Sequence, residues 1–162
     1  MKPLISDALK ESLVAQIAHE KLNANIYLSI ASFLNGKGLS NLANKFLIQH
    51  SEETEHSIII YKLLSDLGIV FNIPEINEFQ VSFTNPLSVA ELYVAREFET
   101  TTSLGEIKNL AMDDGNHVVE ERMREMIKLQ QNEYEEATSL YDTLELLSEW
   151  WQVALYDVSL GK

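Results

Sequence analysis

Residues 39–67 read LSNLANKFLIQHSEETEHSIIIYKLLSDL, and this stretch decides the fold that the sequence predicts. It contains neither proline nor glycine, and apolar residues recur in it at intervals of three and four, so we expect a long amphipathic helix. One row of that helix should face a core. The predicted row is Leu42, Phe46, Gln49, Glu53, His56, Ile60, Leu63 and Leu67.

Glu53 and His56 are the unusual members of this row, because leucine and isoleucine lie on both sides of them. They stand at positions i and i+3, on one face of the helix. An ionised carboxylate inside a helical bundle is costly unless a cation or a polar partner compensates its charge. The pair therefore indicates a metal site, with a structural, hydrogen-bonded pair as the alternative.

Other helices are predicted on both sides of this one. The predicted helices are residues 6–34, 40–67, 86–112 and 117–147, with a short one at 150–160. Residues 69–85 are too long for a tight turn, and we expect an ordered crossover that lets helix three run parallel to helix two. Two short connections and one long one predict a single all-α domain over residues 1–162, a four-helix bundle with one crossover.

Composition excludes several classes of partner. The chain has 162 residues, of which 46% are hydrophobic, and a formal charge of −13. Such an acidic chain argues against nucleic acid or an anionic membrane as partner and suits a protein that attracts cations. There is no cysteine, no apolar run long enough to cross a bilayer, and no signal-peptide stretch after Met1-Lys2-Pro3. We expect a soluble, cytoplasmic protein.

Inward-facing acids are predicted on two further helices, Glu20 on helix one and Glu97 on helix three. Di-iron carboxylate bundles take one Glu from each of two helices and a Glu-x-x-His pair from each of the other two. Taken singly, either acid could belong to a solvated face, but together with Glu53 and His56 they favour a shared site. On helix four the predicted inward row contains no second Glu-x-x-His pair. That row is Met123, Ile127, Gln131, Tyr134, Thr138 and Tyr141.

Five motifs carry a resemblance to a known family. They are Glu20 with Tyr27, Phe46-Leu47-x-Gln49 leading into Glu52 to His56, Glu97 with Glu106, Gln131 with Glu133, and Leu155-Tyr156-Asp157. With them the chain resembles the ferritins, most closely the non-haem bacterial type, over nearly its whole length. The resemblance implies a ferritin-like bundle with a short fifth helix. It also implies binding of two Fe(II) per subunit, oxidation by O₂ or H₂O₂, and mineral storage in a homo-oligomeric cage of twenty-four subunits.

The resemblance also implies roles for individual residues. Glu20, Glu53 and His56 would hold the first iron, and Glu53 would bridge to a second iron that Glu97 binds. Gln131 would lie close to the second iron.

Tyr27 would form a hydrogen bond at the site and take part in electron transfer. A third iron site is implied at four positions of which two are not acids, so we expect it to be weak or absent. Those positions are Glu52, Gln130, Glu133 and Tyr134. Thr54 stands where haem-binding relatives have a methionine, so no haem is expected.

Two other interpretations stay open. The chain could be a di-iron oxidase or a peroxide-scavenging bundle that forms no cage, or a structural bundle whose site is inactive. The remaining histidines are expected at surface or capping positions, and both tryptophans at a subunit contact. These residues are His19, His50, His117, Trp150 and Trp151.

Overall fold

The computed structural model describes residues 5–162, which form five α-helices and no strand. The helices are α1 (Asp7–Gly36), α2 (Ser40–Asp66), α3 (Leu87–Asp113), α4 (His117–Glu145) and α5 (Trp150–Leu160). Each begins and ends within two residues of its predicted position. The prediction that concerns Met1-Lys2-Pro3 lies outside the described residues.

The ends of the long helices follow from local chemistry. The hydroxyl of Ser6 accepts a hydrogen bond from the Leu9 N–H at 3.1 Å, and the side chain of Asn116 accepts one from the Val119 N–H at 3.0 Å. Both are the N-terminal caps that short polar side chains provide. Gly38 follows α1 with a φ of 78°, a left-handed conformation that glycine adopts without strain. This turn reverses the chain into α2.

Two apolar clusters fill the interior. The upper core includes Ile26, Ile30, Leu34, Leu42, Phe46, Val89, Tyr93, Leu140 and Leu144. The lower core includes Leu9, Leu13, Ile17, Ile60, Leu64, Leu104, Ile107, Val119, Met123 and Met126. Along the chain, α1 and α4 pass from the lower core to the upper core, whereas α2 and α3 pass from the upper to the lower. Helix α3 is therefore parallel to α2, and the predicted single-crossover bundle is confirmed.

The crossover between α2 and α3 runs the length of the bundle. Ile69 and Phe71, at its beginning, pack against the lower core. Val81 and Phe83, near its end, pack against the upper core. These four side chains hold the segment on the bundle surface although it has no regular secondary structure.

A layer of buried polar side chains separates the two cores, and we call it the polar layer. Its members are Glu20, Asn23, Gln49, Glu53, His56, Glu97, Thr100, Gln130 and Glu133. The acids predicted to face inward on α1 and α2, Glu20 and Glu53, both lie in this layer and are fully buried. All four long helices thus contribute side chains to one polar centre.

Helix α5 docks on the beginning of α2. The carboxylate of Asp157 accepts hydrogen bonds from the backbone N–H groups of Leu42 at 2.7 Å and Asn41 at 3.4 Å. Trp151 and Leu155 remain exposed on the other face of α5, whereas Trp150 packs against Phe33. No helix in residues 5–162 is both long and apolar enough to span a membrane.

Candidate metal centre

Four glutamates and one histidine converge in the polar layer, and we call them the carboxylate centre. Glu20, Glu53 and His56 each bring one ligand atom within 4.8 Å of the others. Glu53, Glu97 and Glu133 form a second group within the same limit. Glu53 belongs to both groups, so its carboxylate lies between two potential cation positions.

Several oxygen atoms of this centre have no hydrogen-bond partner within residues 5–162. They are both carboxylate oxygens of Glu53 and one oxygen, Oε2, of each of Glu20 and Glu133. Buried polar atoms normally find partners, and buried carboxylates do so with few exceptions. Oxygen donors with one imidazole form the ligand set that suits divalent iron, so the residues present fit that ion.

The other oxygens of the centre are held by neutral donors. Gln16 donates a hydrogen bond to Oε1 of Glu20 at 2.8 Å. Tyr27 donates to Oε1 of Glu97, and Gln130 donates to Oε2 of Glu97 at 2.5 Å. These contacts fix the rotamers of Glu20 and Glu97 while leaving carboxylate lone pairs available to a cation.

The electrostatics of the centre favour protons or cations. Burial, reinforced by the neighbouring carboxylates, raises the pKa of Glu53 well above its usual value and that of Glu133 to about 9. Burial also raises the pKa of Glu97 to about 7, although the hydrogen bonds from Tyr27 and Gln130 act in the opposite direction. At neutral pH the centre therefore holds protons that a bound cation would displace.

Aromatic rings close the centre on the side of the upper core. The ring of Tyr93 makes edge contacts with Tyr27 and Phe46, with centroid separations of 5.4 and 5.1 Å. Burial, followed by the charges of Glu97 and Glu53, raises the pKa of Tyr27 well above its usual value. Tyr27 therefore stays protonated and donates its hydrogen bond.

The predicted inward position of Gln131 is wrong. Its side chain is exposed and donates a hydrogen bond to Glu135 at 3.2 Å, whereas the neighbouring Gln130 is buried and binds Glu97. The inward row of α4 is Val119, Met123, Met126, Gln130, Glu133, Ala137, Leu140 and Leu144. This phase buries more apolar residues than the predicted one, which decides the rotation of the helix.

The four positions of the implied third iron site have different surroundings. Glu133 belongs to the carboxylate centre, and Gln130 donates a hydrogen bond to Glu97 of that centre. Glu52 is half-buried and accepts a hydrogen bond from Gln49 at 2.7 Å. Tyr134 is half-buried and faces the ring of Phe98, with centroids 6.3 Å apart.

Sequence reasoning missed two contributors to the centre. Glu133, whose Oε1 lies 3.4 Å from Nε2 of His56, was assigned only to the weak third site. Gln16 lies one turn before Glu20 on α1, and that spacing is the signal that could have identified it. The prediction for His19 is also wrong, because its ring is half-buried and hydrogen-bonded between α1 and α3.

The chain is similar in sequence and fold to several known proteins. Ferritin BfrB of Mycolicibacterium smegmatis is 30% identical over 125 residues, which cover 77% of this chain and 69% of that protein. Bacterial non-heme ferritin of Staphylococcus aureus is 25% identical over 114 residues, which cover 70% of this chain and 69% of that protein. A solved open pore ferritin of Archaeoglobus fulgidus superposes with a TM-score of 0.91 at 25% identity, covering 98% of this chain and 97% of that one.

The family model of the ferritin-like domain matches residues 10–147, a range that contains the whole polar layer. The five-helix architecture and the resemblance drawn from the sequence motifs point to the same group of proteins. The chain belongs to the ferritin family.

Proposed function

We propose that this protein is a ferroxidase that oxidises Fe(II) to Fe(III) at the carboxylate centre and stores the product in a hollow homo-oligomeric cage. The observation that carries the proposal is the set of buried, unpartnered carboxylate oxygens of Glu20, Glu53 and Glu133 in the described part of the chain. Four carboxylates in one buried layer require protons or cations to balance their charge. Two Fe(II) ions per subunit would supply that balance.

The two groups of ligands provide one binding position for each ion, and they share Glu53. The first Fe(II) takes Glu20, Glu53 and His56, and the second takes Glu53, Glu97 and Glu133. The shared carboxylate of Glu53 holds the ions side by side. One imidazole and several carboxylates leave coordination positions open on both ions for an oxidant.

The reaction transfers one electron from each ion. Two Fe(II) supply two electrons to one molecule of O₂, which with two protons gives H₂O₂, or to one H₂O₂, which with two protons gives two molecules of water. Hard oxygen ligands stabilise Fe(III) more than Fe(II), so the carboxylates favour the loss of electrons. Burial raises the pKa of Glu53 and raises that of Glu133 to about 9, which favours protons on these carboxyl groups before iron binds.

Tyr27 and Gln130 orient the second iron's carboxylate. Both donate hydrogen bonds to Glu97, and both are buried. We assign Tyr27 a second role, which the family resemblance suggested, as a source of an additional electron beside the centre. Gln130 takes the place beside the second iron that the sequence had assigned to Gln131.

The cage is supported by the surface of the chain. Trp151, Leu155 and Val158 form an exposed apolar stripe on α5, and such a stripe indicates a contact with another protein. We propose a homo-oligomer of twenty-four copies in the cytoplasm, with the −13 charge of each chain attracting iron. The competing hypothesis is a di-iron oxidase without a cage, and the exposed stripe favours the cage.

Two measurements on one preparation test this function. Apo-protein mixed with Fe(II) in air should produce Fe(III) absorbance in a rapid phase that saturates at two iron ions per chain. Oxidation no faster than in buffer alone would contradict the ferroxidase. Light scattering should give a particle of twenty-four chains of 18.4 kDa, whereas an active monomer or dimer would support the cage-free oxidase.

A further inference from the structure

The carboxylate centre lies where apolar packing does not set the distance between α1 and α3. On α3, the buried apolar residues stop at Tyr93 and resume at Leu104. The acidic ligands of the two cation positions, Glu20 and Glu97, fall within this gap between the cores. Something other than the cores must therefore fix the separation of the two helices at this level.

Four side chains join the helices here, and we call them the α1–α3 network: His19, Asn23, Arg96 and Thr100. Nε2 of His19 lies 2.7 Å from the hydroxyl of Thr100, and Asn23 donates to the same hydroxyl at 3.0 Å. Nε of Arg96 donates to Oδ1 of Asn23 at 2.7 Å, and a terminal nitrogen of Arg96 lies 3.3 Å from Nδ1 of His19. Asn23 and Thr100 are completely buried.

One tautomer of His19 satisfies its contacts with both Arg96 and Thr100. Because arginine only donates, its contact makes Nδ1 of His19 an acceptor, and the ring proton is then on Nε2 and is donated to Thr100. Nδ2 of Asn23 lies 3.4 Å from the same Nε2 and makes no hydrogen bond with it in this tautomer. The hydroxyl of Thr100 in turn donates to the backbone carbonyl of Arg96 at 3.1 Å. Burial lowers the pKa of His19, as a neutral imidazole in this position requires.

Two residues of the network are adjacent in sequence to acids of the carboxylate centre. His19 directly precedes Glu20, and Arg96 directly precedes Glu97. Every member of the network has hydrogen-bond partners, whereas Oε2 of Glu20 has none in residues 5–162. The network residues are therefore assigned a structural role, whereas the unpartnered oxygen of Glu20 is available to a cation.

We propose that the α1–α3 network is a positioning device that sets the separation of Glu20 and Glu97 so that two divalent cations fit between the helices. The inference rests on the proposed function in one respect, namely that the centre binds two cations. Groups that orient metal ligands typically change metal affinity by 10–100-fold when they are removed. The loss should fall on the second cation, because the ligands of the first all lie on α1 and α2. The second joins Glu53 of α2 to ligands on α3 and α4, so it depends on the separation of α1 and α3 that the network sets.

Substitutions at Thr100 separate positioning from bulk packing. Thr100→Val removes the hydroxyl at nearly constant volume and leaves His19 and Asn23 without their shared partner. Thr100→Ser retains the hydroxyl and should restore the network. Thr102→Val is the matched control, because the Thr102 hydroxyl makes the same bond to the carbonyl four residues earlier, at 3.1 Å, but is exposed.

The readout is calorimetric titration of the apo-protein with Co(II), which needs no iron oxidation. Wild type, Thr100→Ser and Thr102→Val should bind two Co(II) per chain. Thr100→Val should bind the first Co(II) as wild type does and the second about 10-fold more weakly. Wild-type affinity for both ions in Thr100→Val, or an equal loss in Thr100→Ser, would overturn the proposal.

Arg96→Lys provides a second variant should Thr100→Val fail to fold. Lysine keeps the positive charge beside Glu97 but cannot donate to Asn23 and His19 with the fixed fork of arginine. It should reproduce the loss at the second Co(II), and undiminished affinity would overturn the inference. A wild-type chain that binds two Co(II) without oxidising iron would contradict the ferroxidase proposal alone.

Discussion

Glu53 is completely buried, and neither of its carboxylate oxygens has a hydrogen-bond donor in residues 5–162. Glu20, Glu97 and Glu133 surround it with further negative charge. A buried carboxylate in this setting destabilises the fold until a proton or a cation neutralises it. The same residue therefore opposes folding of the apo-protein and stabilises the metal-bound form.

Replacement of Glu53 should separate these two effects. Glu53→Gln removes the ligand shared by both irons, so rapid Fe(II) oxidation should be lost, while the apo-protein should melt at a higher temperature than wild type. Stopped-flow absorbance and thermal denaturation by circular dichroism measure the two outcomes. The control is Glu55→Gln, an exposed acid two residues later, which should change neither. Rapid oxidation in Glu53→Gln would show that the ligand assignment is wrong.

The adjacent glutamines of α4 give a second test at the same scale. Gln130→Leu removes the donor to Glu97 and should weaken the second metal ion by about 10-fold, as loss of an orienting partner commonly does. Gln131→Leu alters an exposed side chain and should leave binding unchanged. Co(II) titration of both variants decides the matter. A larger loss of Co(II) affinity in Gln131→Leu than in Gln130→Leu would instead support the helical phase in which Gln131 faces the core.

Among the elements, α1 and α2 were predictable in detail and α4 was not. In α2 the acid Glu53 and its partner His56 interrupt an otherwise apolar row, so only one helical phase is consistent with a core. In α4, Met126 is followed by Ile127 and Gln130 by Gln131, so neighbouring phases present similar side chains. Packing in the bundle determines the phase of α4, because the observed phase also buries Ala137, Leu140 and Leu144.

The α1–α3 network could not be predicted from local sequence at all. Its hydrogen bonds between α1 and α3 join residues 73 to 81 positions apart, such as Asn23 with Arg96 and His19 with Thr100. Neither helix alone shows a pattern that requires them. A half-buried histidine is recognisable as a structural residue only when the partner helix is in place.

Helix α5 supplies a testable contact between elements. Asp157 is buried and caps the beginning of α2, a helix whose own N-cap residue, Leu39, has no side-chain hydrogen bond. Asp157→Ala should therefore destabilise the chain by about 1–2 kcal/mol, the usual cost of a lost cap. Denaturant unfolding measures the change, with the exposed Asp142→Ala as control. Equal stability of both variants would show that α5 is not anchored in this way.

At the scale of the whole molecule, the carboxylate centre should make apo-protein stability depend on pH. In the folded chain the pKa of Glu97 is about 7 and that of Glu133 about 9, both above the value of 4.5 for an unperturbed glutamate. The folded state therefore binds more protons than the unfolded state between these values. Stability is greatest below the unfolded pKa and declines as pH rises through the folded ones.

The melting temperature of the apo-protein should thus decrease by several degrees, about 5 °C or more, between about pH 6 and pH 9. Differential scanning calorimetry with and without Co(II) measures it, and saturating metal should largely remove the decrease. Glu133→Gln should flatten the apo curve. A melting temperature that rises over this interval would contradict the raised pKa values.

The central claim is that the polar layer binds two iron ions that share Glu53. Crystals soaked anaerobically in Fe(II) and measured with X-rays just above the iron absorption edge test it most directly, because anomalous scattering locates iron independently of the protein. The account predicts two peaks in each subunit, one among Glu20, Glu53 and His56 and one among Glu53, Glu97 and Glu133. Iron found only on the surface, with no peak inside the bundle, would contradict it.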